Sequence, residues 1–281
     1  MFASSADRTW LWLAAGFYLI GLLLGTLSVF SRGRRSTALV YGVVLTGYVF
    51  QTIGLYLRGR TVGGCPLGNH FEIIQFTAWS ATSVFLLIGA TFRLSLLGHF
   101  TASLSAVLSF ISLIIPSWDA TRRAHIFGGN AWIEFHAALA LFSYGVFGLL
   151  ALTSVMFLLR NHSLKSKRVG GGFSFLPSIL DLDHIGYRLL GLGVALMTAA
   201  VLVGARWWLH DLSTVNYVKI SFTVAVWFAY ALTLFLRAKR TLIAQRFAWT
   251  CALLFIAALI SLGPVSTDLR DHPTGYVTGH E

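Results

Sequence analysis

Charged residues are scarce in this chain. Asp, Glu, Lys and Arg make up 11% of its 281 residues, whereas a soluble domain carries roughly a quarter. Hydrophobic residues make up 56%, and the mean hydropathy is +0.74. So little polar surface cannot cover a water-soluble particle. The composition therefore excludes a soluble globular protein and requires lipid around most of the exterior.

Cysteine is equally scarce. Cys65 and Cys251 are the two cysteines, and no Cys-x-x-Cys pair is present. This excludes a thioredoxin-like protein and a chain that is itself a c-type cytochrome. Cys251 lies in an apolar run, which is typical of a buried thiol, whereas Cys65 lies in a loop where a redox role and no role both stay open. A zinc hydrolase motif and a glycine-rich phosphate loop are also absent.

Long apolar runs dominate what remains. A bilayer core needs about 20 apolar residues in a helix, and only helices or closed barrels satisfy their backbone in lipid. These runs are too long for barrel strands. They predict an all-α, polytopic bundle of about eight transmembrane helices in one integral membrane domain, residues 1–281. The predicted spans are 10–30, 37–57, 71–92, 94–115, 131–159, 185–205, 215–236 and 247–264.

The net charge of +11 does not indicate a nucleic-acid partner, because Lys and Arg lie in short clusters between apolar runs and form no basic face. Twelve of them lie in the first, third, fifth and seventh loops, and seven lie in the N-terminus, the even loops and the tail. Arg58 is counted among the seven. The positive-inside rule then predicts that both termini are external.

Glu72 stands out because an ionisable side chain inside a membrane span is expensive and usually faces the bundle interior or a wet cavity. Helical spacing places it on one stripe with Asn69, Phe76 and Trp79. Such a stripe suits the lip of a cavity. It equally suits a carboxylate that only binds a neighbouring helix, and both interpretations stay open.

Histidine and tryptophan supply the remaining candidates. Imidazole is a standard ligand of haem and metals, and His136 opens the fifth span, on the predicted outer side. His125, His210 and His272 share that side. Trp207 and Trp208 lie at an outer boundary, where they could form an aromatic belt or a platform for a porphyrin.

Several motifs follow one another in a fixed order along residues 60–275. Their residues are Pro66-Leu67-Gly68-Asn69-His70-Phe71-Glu72, Phe76, Trp79, His136, Ser143-Tyr144, Leu176-Pro177-Ser178, Leu182-Asp183, Tyr187-Arg188, Gly193, Thr198, Gly204, Trp227, Tyr230, Arg237, Gly263 and His272. Taken in this order, the motifs resemble the cytochrome c assembly family, the haem-handling membrane proteins of system II cytochrome maturation and their smaller HemX-like relatives.

The resemblance implies a haem site at the outer face of a bacterial inner membrane. His136 and His272 would be the axial ligands of haem b, and Trp207 and Trp208 would be what remains of a tryptophan platform. Glu72 is expected to belong to the same site. The implied partners are the lipid bilayer, a cytochrome c maturation subunit and an apocytochrome c client.

The chain also departs from the family. The Trp-Asp-Pro-Lys-Glu core of the tryptophan-rich loop is replaced by a stretch that keeps only Lys219, and Phe235 stands where an inner histidine is expected. These departures predict a reduced, HemX-like member that binds or delivers haem, or assists, without a catalytic cycle of its own. Two alternatives remain: a haem-free assembly or regulatory subunit of the same fold, and a small-solute transporter with Glu72 in its pathway.

Overall fold

The structure is a computed structural model that describes residues 3–30, 37–92, 95–120, 130–165, 178–208 and 217–267. Within these ranges the chain is helical, which confirms the all-α prediction. A short 3-10 helix, Pro116–Asp119, follows the fourth α-helix. The α-helices are α1 (Ala3–Phe30), α2 (Thr37–Val62), α3 (His70–Phe92), α4 (Ser95–Ile114), α5 (Ala131–Lys165), α6 (Ile179–Trp208), α7 (Tyr217–Ala238) and α8 (Ala244–Thr267).

Each helix coincides with one predicted span. Six of them, α1, α2, α5, α6, α7 and α8, are long and apolar enough within the described residues to cross a membrane. The chain is therefore a multi-pass membrane protein. The largest differences are at the starts of α1 and α6, which begin at Ala3 and Ile179, ahead of the predicted positions 10 and 185. The ends of α2 and α5 also continue past the predicted positions 57 and 159 to Val62 and Lys165. A helix continues there because a bilayer limits the length of an apolar run and not the length of a helix.

Successive helices alternate in direction, so α1, α3, α5 and α7 begin at the same end of the bundle. We call this the His136 end. At the level of helices, α1 packs on α2 and α4, α3 packs on α4 and α5, and α5 packs on α6 and α8. Helix α5 therefore joins the first four helices to the last three.

The crossing of α3 and α5 depends on a glycine. A Cβ at Gly145 would overlap Ser80 Oγ and would lie 2.9 Å from the backbone nitrogen of Ala81. Small residues allow this close approach of two backbones in a membrane bundle, where packing replaces the hydrophobic effect between helices.

An aromatic pair joins α5 to α7, and a glycine of α6 packs against it. The rings of Phe147 and Tyr230 stack with centroids 3.7 Å apart and planes at 1°. A Cβ at Gly193 of α6 would overlap the same Phe147 ring. Gly193 and Tyr230 both belong to the family-like motifs, and their contacts give them a packing role.

A buried polar seam holds the first four helices together. The Tyr18 hydroxyl donates to Gln51 Oε1 at 2.7 Å, and Gln51 Nε2 donates to Gln75 Oε1 at 2.8 Å. Gln75 Nε2 in turn donates to Ser112 Oγ at 2.9 Å. One residue from each of α1, α2, α3 and α4 takes part. Such side-chain hydrogen bonds are the polar contribution to helix association in lipid.

Candidate functional site at one end of the bundle

Arg58, near the end of α2, lies at the centre of a largely buried group of charges at the His136 end. Its Nε donates to Glu72 Oε1 at 2.6 Å, and its Nη1 donates to Asp7 Oδ2 at 3.0 Å. Its Nη2 donates to Asp119 Oδ1. The guanidinium is 0% exposed, so these carboxylates replace water as its partners. The prediction that Arg58 is a loop residue is wrong, because carboxylates that follow or precede it by many residues allow it to stay inside the bundle.

A second arginine and an aromatic ring complete this group, which we call the Arg58 cluster. Arg8 Nη1 donates to Asp119 Oδ2 at 2.8 Å, and Arg8 Nη2 donates to the carbonyl of Leu113 at 3.0 Å. The guanidinium carbons of Arg58 and Arg8 lie 5.2 and 5.5 Å from the centre of the Phe71 ring. Cation–π contacts strengthen when they are shielded from water. The cluster thereby joins α1, α2, α3 and the 3-10 helix.

The motif around Glu72 is explained by the start of α3. Asn69 precedes the helix, and its Oδ1 accepts a hydrogen bond of 2.9 Å from the backbone nitrogen of Glu72. Glu72 Oε2 reaches back to the backbone nitrogen of Gly68 at 2.7 Å. This is a variant of the capping box, in which a cap residue and the third helical residue satisfy free N–H groups reciprocally. Glu72 therefore both caps α3 and pairs with Arg58.

The segment from Gly63 to Gly68 connects the Arg58 cluster to α5. Gly63 has a φ of 71°, a left-handed conformation that suits glycine. The Cys65 backbone nitrogen donates to Glu134 Oε2 at 3.1 Å, and a Cβ at Gly64 would overlap Glu134 Oε1. The first turn of α5 is thus held against this segment by one carboxylate.

The surroundings of Cys65 lower the reactivity of its thiol. Burial, together with the negative charges of Glu134 and Glu72, raises the pKa of its thiol to about 11. The thiolate is the nucleophile and the metal ligand. A thiol with this pKa stays protonated near neutrality, which favours the interpretation without a redox role.

His136 is half-buried in the second turn of α5, and α6 orients its ring. Nδ1 lies 2.7 Å from the carbonyl oxygen of Ala200. A carbonyl only accepts, so Nδ1 carries the hydrogen, and a neutral ring then has its lone pair on Nε2. Metal-binding histidines commonly have this arrangement, in which the second nitrogen donates to a backbone carbonyl or a carboxylate.

The other predicted site residues are placed only in part. Helix α6 ends at Trp208, so Trp207 and Trp208 occupy its last turn at the His136 end, but their side chains lie outside the described residues. His272, His125 and His210 also lie outside them. Among the described residues there is no group of three His, Cys, Asp or Glu side chains that could hold a metal ion by themselves.

Both carboxylate oxygens of Glu72 are engaged at the start of α3. Oε1 accepts from Arg58 and Oε2 accepts from the backbone nitrogen of Gly68, and Nδ1 of His136 donates to Ala200 on α6. Of the two interpretations of Glu72, the structure supports the one in which the carboxylate binds a neighbouring helix. Its connection to α5 runs through the 63–68 segment.

At the opposite end of the bundle, two further motif residues pair. Arg237 of α7 donates to Asp183 of α6 and, at 2.7 Å, to the carbonyl of Leu242. Its guanidinium carbon lies 5.0 Å from the centre of the Phe247 ring of α8. A second pair of motif residues joins the same two helices: Trp227 Nε1 of α7 donates to Thr198 Oγ1 of α6 at 2.9 Å. Sequence reasoning names these four motif residues without pairing them, because each pair joins different helices.

Comparisons with known proteins show which family the chain resembles. A family model described as "Cytochrome C assembly protein" matches residues 67–265. The match ends before His272 and includes His136, Glu72, Trp207 and Trp208.

Individual relatives cover most of the chain. It is 23% identical to Protein HemX of Bacillus subtilis over 258 residues, which is 89% of this chain and 92% of that one. It is 26% identical to Protein HemX of Brevibacillus brevis over 203 residues, or 72% and 74% of the two chains. It is 24% identical to the cytochrome c biogenesis protein CcsA of Guillardia theta over 268 residues, or 86% of each.

Proposed function

The chain belongs to the cytochrome c assembly protein family, and from that premise we propose that it binds haem b at the His136 end and assists its use in cytochrome c biogenesis. The family and its named relatives support a role in that process. In this proposal haem is a transported group and not a permanent cofactor. The chain would deliver it to an apocytochrome c or supply it to a maturation subunit in the same membrane.

The observation that carries this proposal is the hydrogen bond between His136 and Ala200. A helix carbonyl that binds Nδ1 at 2.7 Å selects the tautomer in which Nε2 is basic. It also limits rotation of the ring, because the acceptor belongs to a different helix. Both effects prepare an imidazole to ligate haem iron. The residues present therefore fit haem on one axial side.

The second ligand in the proposal is His272, which the family resemblance pairs with His136. Trp207 and Trp208 lie seven and eight residues after Ala200 on α6, or roughly 10–12 Å along the helix axis. They therefore lie beyond the level of His136, nearer the end of α6, where the proposal places them at the rim of the haem site. Glu72 contributes to the proposed site indirectly, through the 63–68 segment and Glu134.

The membrane orientation follows from the charge distribution. We place the His136 end and both termini outside a bacterial inner membrane, with the more basic loops in the cytoplasm. In this orientation the haem site faces the compartment in which c-type cytochromes are assembled.

A haem-free assembly or regulatory subunit is the alternative that one observation favours. Phe235 occupies the position of the expected inner histidine and is 57% exposed on the surface of α7. A second, inner haem ligand is therefore not supplied by that position. A transporter is less well supported, because both oxygens of Glu72 are engaged by Arg58 and Gly68 within the bundle.

A visible spectrum tests the proposal. The full chain, purified in detergent and incubated with haem, should show a Soret band and sharp reduced bands. The His136→Ala variant should lose most of this haem. His184→Ala is the matched control, because His184 is exposed near the start of α6 at the other end of the bundle. Equal haem in all three proteins would overturn the assignment of His136, and a wild-type protein without haem uptake would favour the haem-free subunit.

A further inference from the structure

The first two turns of α5 present an aromatic face around His136. At 100° per residue, Trp132, Phe135, His136 and Leu139 fall within a 100° arc of the helix. Trp132 is 67% exposed and Phe135 is 52% exposed. Large apolar side chains that flank a half-buried histidine on one face form a surface that a flat apolar molecule would cover.

Contacts on the other sides of α5 fix the direction of this face. Glu134 lies about 150° around the helix from the centre of the arc and is held by the Cys65 backbone nitrogen at 3.1 Å. Its carboxylate packs against Gly64, where even a Cβ would not fit. On a flank, His136 is held by Ala200 of α6. These contacts limit rotation of α5 about its own axis, so the aromatic face is preorganised.

We propose that Trp132 and Phe135 form an apolar wall of the haem site, with Trp132 the principal contact. This inference rests on the proposed function, because His136 is the ligand on that face. Residues four apart on a helix have Cβ atoms about 5–6 Å from each other, so Trp132 lies near enough to His136 to contact a haem that this histidine would hold. The indole and phenyl rings exclude water from it and slow its release.

The competing explanation for Trp132 is that of an ordinary aromatic belt at the membrane interface. Trp12 is suited to distinguish the two. It lies near the same end of the bundle, it is 41% exposed, and it belongs to α1, which packs mainly on α2 and α4. If Trp132 is only a belt residue, the two tryptophans should behave alike toward haem.

The test compares Trp132→Ala, Trp132→Phe, Trp12→Ala and His136→Ala in the full chain in detergent. Haem release is followed by transfer to excess apomyoglobin. We expect Trp132→Ala to release haem about tenfold faster or more, since the loss of one aromatic side chain that haem would cover is of that order. Trp132→Phe should release it within about threefold of the wild-type rate, and Trp12→Ala at the wild-type rate.

The outcomes separate this inference from the proposed function. If His136→Ala loses haem while Trp132→Ala and Trp12→Ala release it at the same rate, the contact assigned to Trp132 is wrong and the assignment of His136 as the ligand is kept. If His136→Ala keeps its haem, both are wrong. A second readout is tryptophan emission, because bound haem quenches a nearby indole. Trp132→Phe should reduce the fraction of emission that haem quenches, and Trp12→Phe should leave that fraction unchanged or raise it.

Discussion

Arg58 Nε and Glu72 Oε1 lie 2.6 Å apart in a part of the bundle where both residues are at most 1% exposed. The pair connects the end of α2 to the start of α3. Glu72 also caps α3, so one carboxylate both neutralises the Arg58 guanidinium and accepts a hydrogen bond at the start of a helix. Its loss therefore has two structural consequences.

Replacement of Arg58 should destabilise the whole His136 end. Arg58→Leu leaves Asp7, Glu72 and Asp119 buried beside one another with only Arg8 to offset them. Removal of one partner from a buried ion pair costs about 3–5 kcal/mol. We expect a clear loss of thermal stability in detergent and a lower amount of protein in membranes.

Arg60→Leu is the control for that experiment, because Arg60 lies two residues further along α2 and is exposed. It should melt close to the wild-type temperature. Equal melting temperatures for the two variants would contradict the role assigned to the Arg58 cluster.

Glu72→Gln should lower stability less than Arg58→Leu does. It should also lower haem retention, as a consequence of that loss of stability. The amide oxygen can still accept from the Gly68 nitrogen, but the neutral side chain leaves Arg58 short of one charge. A lost charged hydrogen bond of this kind costs about 1.5–3 kcal/mol. Haem retention and melting temperature should fall together, whereas His136→Ala should lower haem retention alone. A stable Glu72→Gln protein that lost its haem would instead indicate direct contact between Glu72 and the ligand.

Gly145→Ala should weaken the crossing of α3 and α5. The added methyl group would overlap Ser80 Oγ and press on the backbone of Ala81, and overpacking of this kind costs about 1–3 kcal/mol. Gly191 of α6 offers a matched control, because a Cβ there meets nothing within 4 Å. Thermal unfolding of both variants checks this, and Gly191→Ala should be neutral or slightly stabilising.

Cys65 should alkylate slowly and with an unusual pH dependence. With a pKa of about 11, roughly a thousandth of the thiol is ionised at pH 8, and only the thiolate reacts. In a Cys251→Ser background the alkylation rate should keep rising from pH 8 to beyond pH 10. Glu134→Gln removes one of the negative charges that raise the pKa, so it should speed the reaction at pH 8. A rate that levels off near pH 9 would show that Cys65 is more exposed than the structure has it.

Labelling of intact cells tests the orientation. In a background without Cys65 and Cys251, a cysteine at Arg60 should react with a membrane-impermeant maleimide, and one at Lys165 should not. Both positions are exposed, at opposite ends of the bundle. The reverse pattern would place the His136 end in the cytoplasm.

The helices were predictable because membrane spans are encoded locally. Twenty apolar residues in a row require a helix in lipid, and no distant residue is needed to recognise them. Helix ends were less predictable, as α2 shows: Arg58 stays helical and buried only because Asp7, Glu72 and Asp119 surround it, at separations of 51, 14 and 61 residues.

The candidate site was predictable in its residue types and not in its connections. His136 and Glu72 stand out in the sequence because polar groups in apolar runs are rare. The acceptor that orients His136 is a backbone carbonyl, and every residue has one, so no sequence pattern identifies Ala200. Glu134 was missed for a similar reason, since its partner is the main-chain nitrogen of Cys65.

The Arg58 cluster is also completed in a fixed order, because its residues are synthesised one after another. Arginine in a lone span is costly, by about 2.5–3.5 kcal/mol at the centre of the bilayer. Asp7 is synthesised before Arg58, so α1 and α2 can enter the membrane as a hairpin that already neutralises its own charge. Glu72 follows with α3, and Asp119 arrives only after α4 has been made. The last carboxylate thus joins when the first four helices are all present, and the closed cluster marks the completion of that half of the protein.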